Sequence, residues 1–394
     1  MNFINSLKKF NINYNDIKYN IIKAIKKYFI ISGSGGSNNI IISEYNYIIK
    51  IIPIILNPLL KNNNNNDYLE SNIYIKLTDE FIKTNITPHI VSIYKKYYID
   101  DINIIFPDKC LTLDEKLMKK NIYHLYDNNI CYLKKLNNNN LLDKKKIHIL
   151  ILEKCSYNIN ICIYNLFNSK LPIKQKLNNF KKILYRIIFQ LLFTLTVIKK
   201  KYPNFIHNDL FLRNILAINY TKYNNNDYIE YNLLKKKYYL PANGIFIKLN
   251  DFGYSLNILN KNSTLEKEII YSVNNQFELY NNYRDVYTFF FDLYDGQNIG
   301  SLSLKSLIYK YIKNKIKQKQ YINVLHKTLI NFFNYKIINK IKNKQKNILD
   351  DLWNISESSI LMNTVKQPKE YFNNDTFKFY TIKPKYCNII KTYN

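Results

Sequence analysis

Apolar residues recur along this chain with two periods, and the change from one to the other is ordered. Short runs rich in Ile and Tyr at 27–31, 39–43 and 47–52 are separated by turn-forming residues, the pattern of a strand meander. Residues 69–86 then place Leu69, Ile73, Leu77, Phe81 and Ile82 at helical spacing and stop before Thr87-Pro88. This predicts a helix, with further strands at 90–94 and 147–152. The longest helical signal runs from Ile173 to Lys200, with Ile183, Ile187, Leu191 and Leu195 on one face. Beyond residue 280, Leu302–Ile316 and Tyr321–Phe333 alternate apolar and Lys-rich positions at helical spacing, and a weakly patterned tail follows from about 365. The pattern predicts an α+β fold, strand-rich over residues 1–153 and mainly helical over 154–394.

Three asparagine runs, at 62–66, 137–140 and 224–226, interrupt periodic segments and carry little core-forming capacity, so they read as looped-out insertions. The 394 residues are 47% hydrophobic and 15% aromatic, enough to fill a core and incompatible with a wholly disordered tail protein. The formal charge of +29 favours polyanionic partners. It is discounted here, because Lys is spread through every segment and Ile, Asn, Lys and Tyr all have AT-rich codons. Nucleic acid and anionic membrane surfaces stay open as partners on charge alone, and no motif supports either. Five cysteines, at 110, 131, 155, 162 and 387, show no metal or redox spacing and are read as reduced thiols. Neither a secretory signal nor an apolar stretch of membrane-spanning length is expected, and the expected location is the cytoplasm.

The chemistry-bearing residues follow the long helix. Phe205-Ile206-His207-Asn208-Asp209-Leu210-Phe211-Leu212-Arg213-Asn214 places a carboxylate and a carboxamide five positions apart in a short connection between apolar anchors. A strand-like run, Ile245–Leu249, then opens into Asn250-Asp251-Phe252-Gly253. Upstream, three of the chain's seven glycines, Gly33, Gly35 and Gly36, crowd a Ser-rich turn. Fourteen residues after Gly36 comes Lys50, in the apolar run Tyr47–Ile52.

His-x-Asp-x-x-x-x-Asn followed by Asp-Phe-Gly resembles the catalytic and metal-binding loops of the eukaryotic-type protein kinase family. The resemblance runs in family order over about residues 27–293. It implies a two-lobed fold with ATP in the cleft between the lobes, Mg2+ as cofactor, and transfer of the γ-phosphoryl group to Ser/Thr hydroxyls of a protein substrate. Asp209 would accept the hydroxyl proton, and Asn214 and Asp251 would hold magnesium. Gly33, Gly35 and Gly36 would cradle phosphates. Lys50 would pair the α- and β-phosphates and be held by a helix glutamate, Glu70 in preference to Glu80. Leu152, Glu153 and Cys155 would line the adenine site, with Leu152 guarding the space behind it. Asp285, in Tyr283-Arg284-Asp285, would brace the catalytic loop.

The chain departs from the family pattern at three points. Asn208 stands where an arginine precedes the catalytic aspartate, Phe211 stands where a lysine follows it, and the Ala-Pro-Glu marker is absent between Gly253 and Asp285. Arg213 would supply the cation lost at Phe211. Such divergence, with asparagine-padded loops, is similar to the kinases of poxviruses and mimiviruses, which would put the protein in host cytoplasm or in a virion. Two other classes share parts of the pattern: choline- or aminoglycoside-type phosphotransferases, against which Phe252-Gly253 argues, and pseudokinases that bind without transfer.

Overall fold

A computed structural model describes residues 40–43, 47–52, 66–99, 139, 147–258, 284–294, 303–332, 365–373 and 375–394. The chain is mixed α and β and divides into two compact units, one of residues 1–78 and 91–154, the other of residues 79–90 and 155–394.

In unit one, strands β1 (Ile40–Ser43), β2 (Tyr47–Ile52), β3 (Ile93–Ile99) and β4 (Ile147–Glu153) form an antiparallel sheet in the order β1-β2-β4-β3. The central strand β4, Ile-His-Ile-Leu-Ile-Leu-Glu, is buried along its whole length, which explains its near-continuous apolar run in place of an alternating one. Helix α1 (Asn66–Leu77) buries Ile73, Tyr74 and Leu77 and continues into one wide turn, Thr78–Ile82. The first strand expected from the sequence, at 27–31, lies outside the described residues.

Unit two is built on a 29-residue helix, and it carries more strand than the sequence reading allowed. After strand β5 (Tyr157–Asn158) come helix α2 (Ile159–Asn168) and helix α3 (Ile173–Lys201). From Ile187 to Ile198 every side chain of α3 is buried, so the single apolar face expected there is in fact a helix enclosed on all sides. Its last turn carries Lys199, Lys200 and Lys201, where cations complement the helix dipole.

Two three-stranded sheets follow. β5, β6 (Ile215–Tyr220) and β9 (Gly244–Leu249) form one, and the hairpin β7 (Asp227–Leu233) and β8 (Lys236–Pro241) joins the C-terminal strand β10 (Asn388–Tyr393) in the other. The asparagine run at 224–226 is thus a turn that launches β7: the Asn224 amide donates to the Asp227 carboxylate, and the Asp227 amide donates back to the Asn224 carbonyl. The tail that lacked pattern pairs in parallel with β7. Its side chains are only half-buried, which leaves little alternation to read in the sequence.

Between β8 and β9 the chain turns under Arg186 of α3. This buried guanidinium donates to the carbonyls of Pro241, Asn243 and Ile245 at 2.8, 2.6 and 2.7 Å. Gly244 sits there at φ +110°, a backbone angle that favours glycine, and a Cβ on it would also crowd Arg186 Nη1 at 3.0 Å.

Among the described residues the further helices are α4 (Arg284–Tyr294), α5 (Leu304–Tyr311), α6 (Lys315–Leu329), α7 (Glu370–Asn373) and α8 (Lys378–Thr381). The helix expected at 302–316 is shorter, Leu304–Tyr311, and the one expected at 321–333 lies nearer the N-terminus, Lys315–Leu329. Asn314 ends the intervening break by accepting the Lys317 amide with its side chain, so α6 starts six residues earlier than apolar spacing alone suggested.

Candidate active site

In unit one the lysine singled out from the sequence lies on β2, where it is 5% exposed. Its Nζ donates to Glu70 Oε1 at 2.6 Å, and Glu70 is itself 2% exposed. The strand register and the helix face make this pair. Lys50 is matched to Leu150 across β4, while Glu70 shares the buried side of α1 with Ile73, Tyr74 and Leu77. An ammonium taken from water needs such a counter-ion, because either charge alone would be costly to bury.

Glu80 is occupied elsewhere. It belongs to unit two, accepts a short hydrogen bond from the Tyr202 hydroxyl and lies 3.1 Å from Lys201 Nζ. Leu152 is buried in β4, and the Glu153 amide donates to the Ser92 carbonyl while its carboxylate accepts from the Ser92 amide and hydroxyl. Cys155, half-buried, opens the second stretch of unit two. Gly33, Gly35 and Gly36 lie outside the described residues.

In unit two, α3 delivers the chain into the loop 205–214. Apolar anchors fix it: Phe205, Ile206, Leu210 and Leu212 are all buried. Asp285 at the start of α4 accepts the amides of His207 and Asn208 at 2.8 and 3.0 Å, which orients the backbone leading into Asp209. Asn208 takes φ 64°, a left-handed conformation that Asn tolerates better than most residues, and both its amide atoms are buried. The loop that bears Asp251 is laced to this one. The His207 ring bonds the Asn250 carbonyl, Ser255 Oγ donates to the His207 carbonyl, and the Asn250 amide donates to the Asn214 carbonyl. Phe252 is fully buried, its ring centre 5.0 Å from that of His207.

Asp209 is the meeting point. Its Oδ1 accepts from Arg213 Nη2 at 2.7 Å, and its Oδ2 accepts from Asn214 Nδ2 at 2.7 Å. The same Nδ2 also reaches the Asp209 carbonyl at 2.8 Å. The Arg213 guanidinium lies 4.6 Å over the ring of Phe211, the residue whose missing cation it was expected to replace. Burial raises the Asp209 pKa above its ordinary 3.8, with the Asp251 charge adding to the effect, while Arg213, His207 and the Asn214 bond oppose it.

The donor set suits magnesium. With its nitrogen committed to Asp209, Asn214 has its amide oxygen left as the acceptor that could turn toward a cation, and Asp251 would add a carboxylate. Hard oxygen ligands in small number are what Mg2+ takes from a protein, the remainder being water and phosphate. Among the described residues no group of three or more His, Cys, Asp or Glu forms a denser metal cage. Unit two also holds a cavity of about 1260 Å3 whose lining includes Cys162, Lys182, Arg186 and Tyr380 but none of Asp209, Arg213, Asn214 or Asp251. It is therefore separate from this chemistry.

No family model matches the chain. It is 34% identical over 375 residues, 92% of its own length and 91% of the relative's, to a protein of Acanthamoeba polyphaga mimivirus named as a putative serine/threonine-protein kinase. Similarity at that level over nearly the full length, together with a loop in which Asp209, Arg213 and Asn214 are hydrogen-bonded as one set, makes this chain a divergent, viral-type member of the protein kinase family.

Proposed function

We propose that this protein transfers the γ-phosphoryl group of ATP to Ser or Thr hydroxyls of a protein substrate. The observation that carries the reading is the Asp209 carboxylate, buried, hydrogen-bonded through both oxygens and braced by Asp285 through the preceding amides. Asp209 orients the substrate hydroxyl and accepts its proton as the oxygen attacks phosphorus. Arg213, four residues on, presents a cation beside that carboxylate and offsets charge on the transferring group. Lys50, held by Glu70, offers its ammonium to the α- and β-phosphates, and the Leu152–Cys155 stretch supplies backbone groups for adenine. Asn214 and Asp251 would hold magnesium, which supplies charge neutralisation on the phosphate oxygens. The mimivirus relative's name supports Ser/Thr as acceptor.

The test is incubation of purified protein with radiolabelled ATP and magnesium, with mixed acidic and basic proteins in one arm and small alcohols and aminoglycosides in another. Label on protein Ser/Thr is expected. Label confined to small molecules would assign the protein to the small-molecule phosphotransferases, and ATP binding without transfer would make it a pseudokinase.

A further inference from the structure

Helix α4 carries a second buried aspartate that the sequence reading passed over. Asp292 follows Asp285 by seven residues, two helical turns, so both carboxylates leave the same face about 10.5 Å apart along the axis. That face is otherwise apolar, with Val286, Phe289, Phe290 and Leu293 buried around them. Asp292 is fully buried, and a carboxylate in such surroundings is costly unless hydrogen bonds hold it.

One of its bonds goes to the catalytic loop. Asp292 Oδ2 accepts the Leu212 amide at 2.6 Å. Leu212 opens the tight turn Leu212–Asn214, and the residue before it, Phe211, has no side-chain acceptor to cap that turn. The turn carries Arg213 and Asn214, both of which reach back to Asp209.

We propose that Asp292 is a positioning residue for phosphoryl transfer: it anchors the loop after Asp209 as Asp285 anchors it before, and so sets where Arg213 and Asn214 stand. This rests on the kinase reading above. Asp292 acts through the Leu212 amide.

The experiment uses the full chain with Asp292→Leu, which removes the acceptor while keeping the branched skeleton, Asp292→Asn, which keeps one acceptor oxygen, and Leu212→Pro, which removes the donor. Phe211 is extended at ψ 160° and Leu212 begins a turn, so proline fits the backbone there. Hydrogen exchange of the peptide spanning 207–216 needs no activity, and Asp292→Leu is expected to speed it about tenfold or more, with Asp292→Asn near wild type. In MgATP turnover with casein as acceptor, Asp292→Leu is expected to lower kcat and raise the Mg2+ concentration for half-maximal rate by about 10- to 100-fold, the range for lost support of a metal ligand. KM for ATP should move by less than about threefold, since Lys50 is untouched, and Asp292→Asn should recover most of kcat. If Asp292→Leu does not fold, Leu212→Pro must reproduce the kcat and Mg2+ shifts.

Unchanged exchange, a folded Asp292→Leu with wild-type kcat and Mg2+ dependence, or an Asn variant no better than Leu would each overturn the proposal. A wild-type protein that transfers no phosphate would overturn the kinase reading instead. Exchange, together with calorimetric Mg2+ and ATP binding by the variants, would then still decide whether Asp292 sets the loop.

Discussion

Asp209 is held with Arg213 on one oxygen and Asn214 on the other, and burial raises its pKa above 3.8. A carboxylate whose folded pKa is raised is a liability above that pKa, relieved as pH falls through it, so it contributes no stability at neutral pH. Asp209→Asn should therefore lower turnover by about 10²–10⁴-fold while leaving Tm at pH 7 unchanged or slightly higher. In the wild type, kcat/KM should fall with acid along a limb centred above 3.8, and the variant's residual rate should lack that limb. A pH–rate profile beside calorimetry checks both. The two glutamates separate in the same way. Glu70 bonds Lys50 inside unit one, whereas Glu80 bonds Tyr202 and Lys201 in unit two. Glu70→Gln should cost turnover at least about tenfold more than Glu80→Gln, since only Glu70 holds the lysine offered to the phosphates. Parallel kinetics of the two variants give the ranking directly.

At the scale of elements, β10 behaves as a staple on the β7–β8 hairpin. It pairs in parallel with β7, sets the Tyr393 ring 5.6 Å from that of Tyr231, and bonds Asn394 to Asn232. Its side chains are only half-buried, so most of its contribution is backbone pairing. A chain ending at Pro384 should lose about 2 kcal/mol and roughly 5 °C in Tm. None of the hydrogen bonds of Asp209, Arg213 or Asn214 involves this strand, so turnover measured well below Tm should stay within about twofold of wild type. Differential scanning calorimetry with kinetics at low temperature checks the pair of outcomes.

The stability of unit two as a whole should respond to acid through His89. This fully buried ring donates from Nδ1 to the Ile247 carbonyl at 3.0 Å and accepts at Nε2 from the Tyr231 hydroxyl at 2.9 Å, the arrangement of a neutral imidazole. It is stacked on Tyr231 and Phe246. Burial lowers its pKa well below 6.5, the charges of Lys248 and Arg186 add to this, and the Ile247 carbonyl opposes it. An unfolded histidine takes a proton below about 6.5 while the folded one does not, so stability present at pH 7 is lost progressively as pH falls below that value. The Tm of the wild type should drop between pH 7 and pH 5 more steeply than that of His89→Gln. Melting curves across that range are the check.

Local pattern in the sequence was enough for the periodic elements and the chemistry-bearing loop. Strand β2, helix α3 and the spacing of Asp209, Asn214 and Asp251 are short-range features, marked by a short apolar run, helical period and turn chemistry within a few residues. Sequence order also pointed to Glu70, because a helix face is periodic. Long-range pairing was not legible. The union of β10 with a hairpin some 160 positions earlier depends on register and backbone bonds that leave little trace in side-chain type. The role of Asp292 likewise appears only when α4 lies against the loop, since nothing local distinguishes an aspartate that receives a distant amide from one that faces water. The same physics divides the two cases: side-chain periodicity is written along the chain, whereas the partner of a buried polar group is chosen by packing.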